Sequence, residues 1–98
     1  MTDDALHELD LPPDAREKGG HEVLRCFVVD GGLSVSLRRS FDDAGVWGVL
    51  LADLARHAAR IYAIEGGVSE DEALEAIKTM FDAEWSRPTD FDVASAMN

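Results

Sequence analysis

Four polar residues near the middle of the chain share one face of a predicted helix and are its clearest candidates for chemistry: Asp53, Arg56, His57 and Arg60. Asp53 lies four residues before His57, a spacing that lets a carboxylate orient an imidazole, and the two arginines can hold an anionic group. A helix that is apolar on its other sides also needs a polar side, and this structural interpretation is favoured. The sequence therefore gives a candidate anionic-ligand face and predicts no catalytic residue.

The remaining reactive side chains match no known ligand or nucleophile pattern. Cys26 is the single cysteine and lies in the apolar row of a predicted strand, where a thiol usually packs as a small hydrophobe. His7 and His21 stand apart, without the regular spacing of zinc ligands. The paired glycines occur in neither a GxxxxGK nor a GxGxxG frame. No metal, nucleotide or other cofactor is predicted.

The chain has 98 residues, enough for one domain, and a net charge of -11. Residues 21–41 carry +1 and residues 67–98 carry -6. Nucleic acids and anionic membranes bind clustered Lys and Arg, so neither is an expected partner.

A single cysteine and an acidic start without a secretory signal favour the cytoplasm. The longest apolar run, 46–52, is far below the roughly 20 residues of a membrane span.

Two strand-like runs, 22–29 and 33–39, flank Asp30-Gly31-Gly32 and predict a β-hairpin. An Asp30-Gly31 type I′ turn and a Gly31-Gly32 turn both give one wholly apolar face, formed by Leu24, Cys26, Val28, Leu33, Val35 and Leu37. The second turn sets Arg25 opposite Arg38, and like charges in that position repel. The Asp30-Gly31 turn is therefore preferred.

Two amphipathic helices follow. The first begins within Ser40-Phe41-Asp42-Asp43, which offers N-cap side chains, and ends at Glu65 before Gly66-Gly67. The second opens on the capping box Ser69 to Glu72 and runs to about Ser86. The first helix has a bulky apolar arc and a separate stripe of small residues, namely Gly45, Gly48, Ala52, Ala55, Ala59 and Ala63.

These elements predict an α+β fold of ββαα order, with the hairpin packed on the two helices. Residues 1–20 are expected to form a flexible or extended acidic arm, 21–86 the single domain, and 87–98 a flexible tail. The overhanging first helix, its small-residue stripe and the Phe27 side of the hairpin lack an evident cover, so a homodimer is predicted. The candidate dimer surface comprises Phe27, Gly45, Gly48, Ala52, Ala55 and Ala59. The alternative is that the second helix fills the stripe within one chain.

The run GGHEVLRCFVVDGGLSVSLRRSFDDAGVWGVLLADLARHAARIYA resembles the signature of a bacterial domain-of-unknown-function family, the one numbered 5076. The likeness extends from about Leu11 to Trp85 and rests on Glu22-Val23-Leu24-Arg25, Asp30-Gly31-Gly32-Leu33, Trp47-Gly48, Arg56-His57 and Tyr62. The resemblance implies a small bacterial cytoplasmic protein and supplies no activity.

The leading functional hypothesis is a non-enzymatic interaction or regulatory module acting as a homodimer. The alternative is a small anionic-ligand-binding protein or enzyme that uses the Asp53, Arg56, His57 and Arg60 face.

Overall fold

A computed structural model describes residues 5–89. It contains the helix α1 (Pro13–Lys18), the strands β1 (Leu24–Val29) and β2 (Gly32–Leu37), and the helices α2 (Gly45–Glu65) and α3 (Glu70–Ser86). The predicted ββαα order is confirmed. The short α1 helix was not predicted, and it lies within the segment expected to be flexible or extended. The predicted arm and tail extend outside the described residues, over 1–4 and 90–98 respectively.

The hairpin has the predicted register. Leu24 pairs with Leu37, Cys26 with Val35 and Val28 with Leu33. Asp30 and Gly31 both have positive φ angles, of 50° and 81°, as a type I′ turn requires. Arg25 consequently faces Ser36 instead of Arg38 and avoids a like-charge pair.

The predicted packing of this hairpin on the helices is wrong. No Cα atom of β1 or β2 lies within 8 Å of a Cα atom of α2 or α3. The apolar hairpin face is therefore largely open, and Val28 is 77% exposed. Cys26 is exposed as well, which corrects its assignment to the core.

The segment 38–44 explains this separation, because it is fastened to the start of α2. The indole Nε1 of Trp47 donates a hydrogen bond to the carbonyl oxygen of Arg39 at 3.0 Å, and the Trp47 ring meets Phe41 edge to face at 5.6 Å. Asp43 Oδ1 accepts a hydrogen bond from the Gly45 backbone N–H at 2.8 Å. The helix thus begins later than Ser40, and these contacts hold the segment that leaves the hairpin against the first turn of α2.

The helices α2 and α3 form an antiparallel pair joined by residues 66–69. Gly66 and Gly67 end α2 with φ angles of 98° and 103°. The predicted capping box is present: Ser69 Oγ accepts from the Glu72 backbone N–H at 3.1 Å, and Glu72 Oε1 accepts from the Ser69 backbone N–H at 2.9 Å. Near this connection Ala59 is 0% exposed and Ala73 is 7% exposed. Small side chains at this end let the two helices approach closely.

The buried core is small for a chain of this length. Ala59 and Ala73 are the buried hydrophobic residues of the described part, where no large side chain is fully buried. Among residues 5–89, no helix has both the length and the apolar character needed to cross a bilayer.

Candidate functional site

A groove of about 910 Å³ lies between α2 and α3 and is here called the α2–α3 groove. It lies at the end of the helix pair formed by the start of α2 and the end of α3. Its α2 side is made mainly of small residues, namely Ala44, Gly45, Gly48, Ala52 and Ala55, together with Trp47 and Leu51. Its α3 side is bulky and apolar, with Leu74, Ile77, Phe81 and Trp85.

The small-residue stripe of α2 is divided by this arrangement. Toward its C-terminal end Ala59 is completely buried within the chain, as the alternative interpretation predicted for the stripe, and Ala63 is half-buried. Ala59 is therefore not available to a second copy. At its N-terminal end a Cβ atom added to Gly48 would meet nothing within 4 Å. The open part of the predicted dimer surface on α2 therefore comprises Gly45, Gly48 and Ala52, and half-buried Ala55 lies at its limit.

Two aromatic side chains form the outer wall of the groove. Phe81 and Trp85 are one helical turn apart on α3 and stack, with ring centroids 5.5 Å apart and planes inclined by 22°. Trp85 is nevertheless 75% exposed. Preordered aromatic side chains present a large contact area at a small entropic cost, which is typical of interface anchors.

The charged groups at the groove are few. Lys78 Nζ lies 2.7 Å from Asp82 Oδ2, an i,i+4 ion pair, and the hydrogen bond and charge of Asp82 raise the pKa of Lys78. Arg56 completes the polar lining. The groove is therefore a mainly apolar surface with a charged rim.

The candidate anionic-ligand face is only partly brought to this groove. Asp53, Arg56, His57 and Arg60 are all exposed, and of these four only Arg56 lines the groove. Arg60 Nε instead lies 3.8 Å from Glu70 Oε2 at the start of α3. This geometry corresponds to a solvated helix face with one loose ion pair.

A second groove, of about 690 Å³, lies between residues 5–12 and β1. Arg25 joins the two segments, because its Nη1 is 3.0 Å from Glu8 Oε2 while its Nε is 2.9 Å from Glu22 Oε2. Glu22 and then Glu8 raise the pKa of this guanidinium. The Arg25 guanidinium carbon is also 5.8 Å from the ring centroid of half-buried Phe27. Phe27 is thus partly sheltered within the chain.

Sequence reasoning missed the part of the α2–α3 groove contributed by α3 and the contact between residue 8 and residue 25. The sequence feature that could have indicated the α3 side of the groove is the apolar arc of the second helix, which includes Phe81 and Trp85. Within residues 5–89, no cluster of three or more His, Cys, Asp or Glu side chains is arranged to hold a metal ion.

Fold and groove together define a small ββαα protein with a detached hairpin and an open helix pair. The family model of a domain of unknown function, DUF5076, matches residues 8–89, and the chain belongs to this family. No curated protein matches the chain.

A solved structure from the photosynthetic bacterium Rhodopseudomonas palustrus CGA009 is similar to the chain, with 55% sequence identity and a TM-score of 0.72. The similarity covers 89% of this chain and 91% of that one. The protein in that structure is described as a "putative pyruvate dehydrogenase".

Proposed function

We propose that this protein is a small non-enzymatic interaction module of the bacterial cytoplasm, that it acts as a homodimer, and that the α2–α3 groove is its contact surface. The observation that supports this proposal most directly is the open groove itself. Gly48 leaves space for another chain, and exposed Gly45 and Ala52 line the same side of the groove. Phe81 and Trp85 offer aromatic anchors beside that space. Exposed aromatic side chains beside an open apolar surface are typical of interaction sites.

Exposed apolar side chains support association rather than a solitary monomer. Trp85 is 75% exposed beside the groove, and Val28 is 77% exposed on the hairpin. A standard protein interface buries about 800 Å² on each partner, and such side chains usually lie within it.

An enzymatic role has weaker support from the groove. Arg56, Lys78 and Asp82 are its titratable side chains, and the last two are engaged with each other. The dehydrogenase description belongs to the similar protein from Rhodopseudomonas. The anionic-ligand alternative is likewise weakened, because Asp53, His57 and Arg60 lie outside the α2–α3 groove.

Charge bears on the class of partner. The net charge is -11, and α3 begins with three successive acids, Glu70, Asp71 and Glu72. Such a surface repels nucleic-acid phosphates and anionic lipid headgroups, so neither is part of the proposal. The similar structure comes from a bacterium, which supports a bacterial origin.

The experiment is a measurement of solution mass by light scattering at micromolar concentration, with matched surface variants. The wild-type protein should have twice the chain mass of 10.7 kDa. Phe81→Glu places a charge on the groove wall and should give a monomer. Ile64→Glu is the control, because Ile64 is 77% exposed on α2 outside the groove and should leave the dimer intact. A wild-type monomer at the highest concentration would contradict the proposal.

A further inference from the structure

We infer that the α2–α3 groove is occupied by the β-hairpin of a second copy of this chain, in a reciprocal two-fold exchange. The inference rests on the proposed homodimer and names the two surfaces that meet in it. Within residues 5–89, neither α2 nor α3 covers the apolar sheet face, and no strand residue lines the helical groove. A two-fold exchange covers both surfaces on both copies with a single type of contact.

The sheet face has the shape and chemistry that the groove requires. Its two rows, Leu24, Cys26, Val28 and Leu33, Val35, Leu37, are opposite one another in the observed register and contain no charged side chain. A two-stranded hairpin is marginally stable alone and normally needs a helix or further strands on its apolar face. No such cover comes from α2 or α3 of the same chain, because their Cα atoms are all more than 8 Å from those of the strands.

The connection between hairpin and helices favours an exchange over packing within one chain. Ser40 has a φ angle of 63°, and the Trp47 indole fixes the Arg39 carbonyl at 3.0 Å. The hairpin is thereby connected to the start of α2, where Ala44 and Gly45 line the groove, and no residue of its strands lines the groove. A short, fixed connection of this kind is typical of chains that exchange an element with a partner.

The charges at the groove favour an uncharged sheet face as the occupant. The charged side chains that line the groove are Arg56 and the ion pair of Lys78 with Asp82. The apolar face of the hairpin has no charged side chain in its two rows. Docking this face in the groove of a partner therefore buries no charge of the hairpin.

The size of the surfaces is also suitable. Strands of six residues give a sheet face about 20 Å long and about 10 Å wide, a footprint of about 200 Å². Two hairpins and two grooves then contribute about 800 Å² of footprint, and the accessible area of side chains exceeds their footprint. The total approaches the lower range of stable interfaces, about 1200 Å².

Cysteine cross-linking tests the exchange directly, since Cys26 is the only native cysteine and lies exposed on the hairpin face. Wild-type chain is refolded from urea with an equal amount of the double variant Cys26→Ser/Ala52→Cys and then oxidised with diamide. Each mixed dimer offers one cysteine on a hairpin and one in the opposite groove. A disulfide between residues 26 and 52 of different chains, identified by mass spectrometry, is the expected result. The control partner is Cys26→Ser/Glu75→Cys, whose cysteine lies on α3 outside the groove and should remain largely unlinked.

The outcomes separate this inference from the proposed function. A dimeric mass without the 26–52 disulfide rejects the hairpin exchange and leaves the homodimer standing, whereas a monomeric mass rejects both. A disulfide within one chain of the single variant Ala52→Cys, at monomeric mass, also rejects the exchange. A second pair of variants avoids dependence on oxidation. Val28→Asp, on the apolar hairpin face, should halve the mass, while Val29→Asp, on the opposite face, should not.

Discussion

The Trp47 indole N–H and the Arg39 carbonyl oxygen, 3.0 Å apart, join the first turn of α2 to the segment that leaves the hairpin. This hydrogen bond bridges eight residues and is supported by the edge-to-face contact of Trp47 with Phe41. It links the hairpin to the helix pair, and no Cα atom of the strands lies within 8 Å of a Cα atom of α2 or α3. The connection between the two halves of the fold therefore depends on a contact between α2 and a residue that follows β2.

Replacing Trp47 with Phe should remove this hydrogen bond and keep most of the aromatic contact with Phe41. We expect the free energy of unfolding to fall by about 1 kcal/mol, the usual net value of one such bond. Urea denaturation at fixed protein concentration measures the change. Tyr62→Phe, which alters an aromatic residue on the exposed surface of α2, is the control and should change the free energy by less than about 0.5 kcal/mol. Equal effects of the two substitutions would contradict the role given to Trp47.

Features that depend on neighbouring residues were predictable from the sequence. The Asp30-Gly31 turn follows from the need for two positive φ angles, and repulsion between Arg25 and Arg38 excluded the competing register. The capping box at Ser69 is likewise encoded within four residues. The family resemblance over these motifs was also confirmed.

The placement of the hairpin was not predictable in the same way. The apolar face of the hairpin was expected to pack against another element, and the two helices of the same chain were the nearest elements. The φ angle of Ser40 and the bond from Trp47 to Arg39 decide the outcome, and neither has a sequence signature. Similarly, the stripe on α2 indicated close helix packing, but only the geometry shows that Ala59 is covered while Gly48 remains open.

Gly48 offers a stabilising substitution. It lies inside α2, and an added Cβ atom would meet nothing within 4 Å. In the monomeric Phe81→Glu background, where no second copy fills the groove, Gly48→Ala should therefore raise the free energy of unfolding by about 0.5–1 kcal/mol, because alanine loses less backbone entropy in a helix. Thermal and urea unfolding measure the gain. Gly45→Ala in the same background is a useful comparison, since its added Cβ would lie 3.2 Å from Asp43 Oδ1 and should give a smaller gain. A loss of stability in Gly48→Ala on this background would show that the space is filled within the chain.

Gly31 should respond in the opposite direction. Its φ angle of 81° lies in the region that L-residues rarely adopt, although no atom would obstruct a Cβ there. Gly31→Ala should destabilise the hairpin by about 1 kcal/mol through backbone strain alone. Amide hydrogen exchange of β1 and β2 reports this local effect, and the protection of α2 and α3 provides the internal reference. Unchanged exchange in the strands would refute the assigned turn.

The capping box of α3 gives a prediction with a well-defined magnitude. Ser69→Ala removes the acceptor for the Glu72 backbone N–H, and we expect a loss of about 1 kcal/mol in the free energy of unfolding. Ser86→Ala, at the other end of the same helix, is the matched control. If both variants unfold at the same urea concentration as the wild type, the cap does not contribute to global stability.

The pH dependence at the end of α3 depends on Glu84 and Thr89. The Thr89 hydroxyl donates a hydrogen bond to Glu84 Oε2 at 2.6 Å, and the Thr89 backbone N–H donates one to Glu84 Oε1 at 2.7 Å. These two hydrogen bonds lower the pKa of Glu84, and the bond from the hydroxyl has the larger effect. A lowered folded-state pKa means that the stabilisation is complete above the unfolded-state pKa and is lost as the pH falls through the folded-state value. Thr89→Ala should raise the pKa of Glu84 toward its ordinary value, while Thr89→Ser should keep it low because serine retains the hydroxyl. Carboxyl ¹³C titration by NMR measures the shift. The pKa of Glu84 should shift only in part in Thr89→Ala, because the backbone N–H donor remains in that variant. Identical titration of Glu84 in the wild type and in Thr89→Ala would refute the contact.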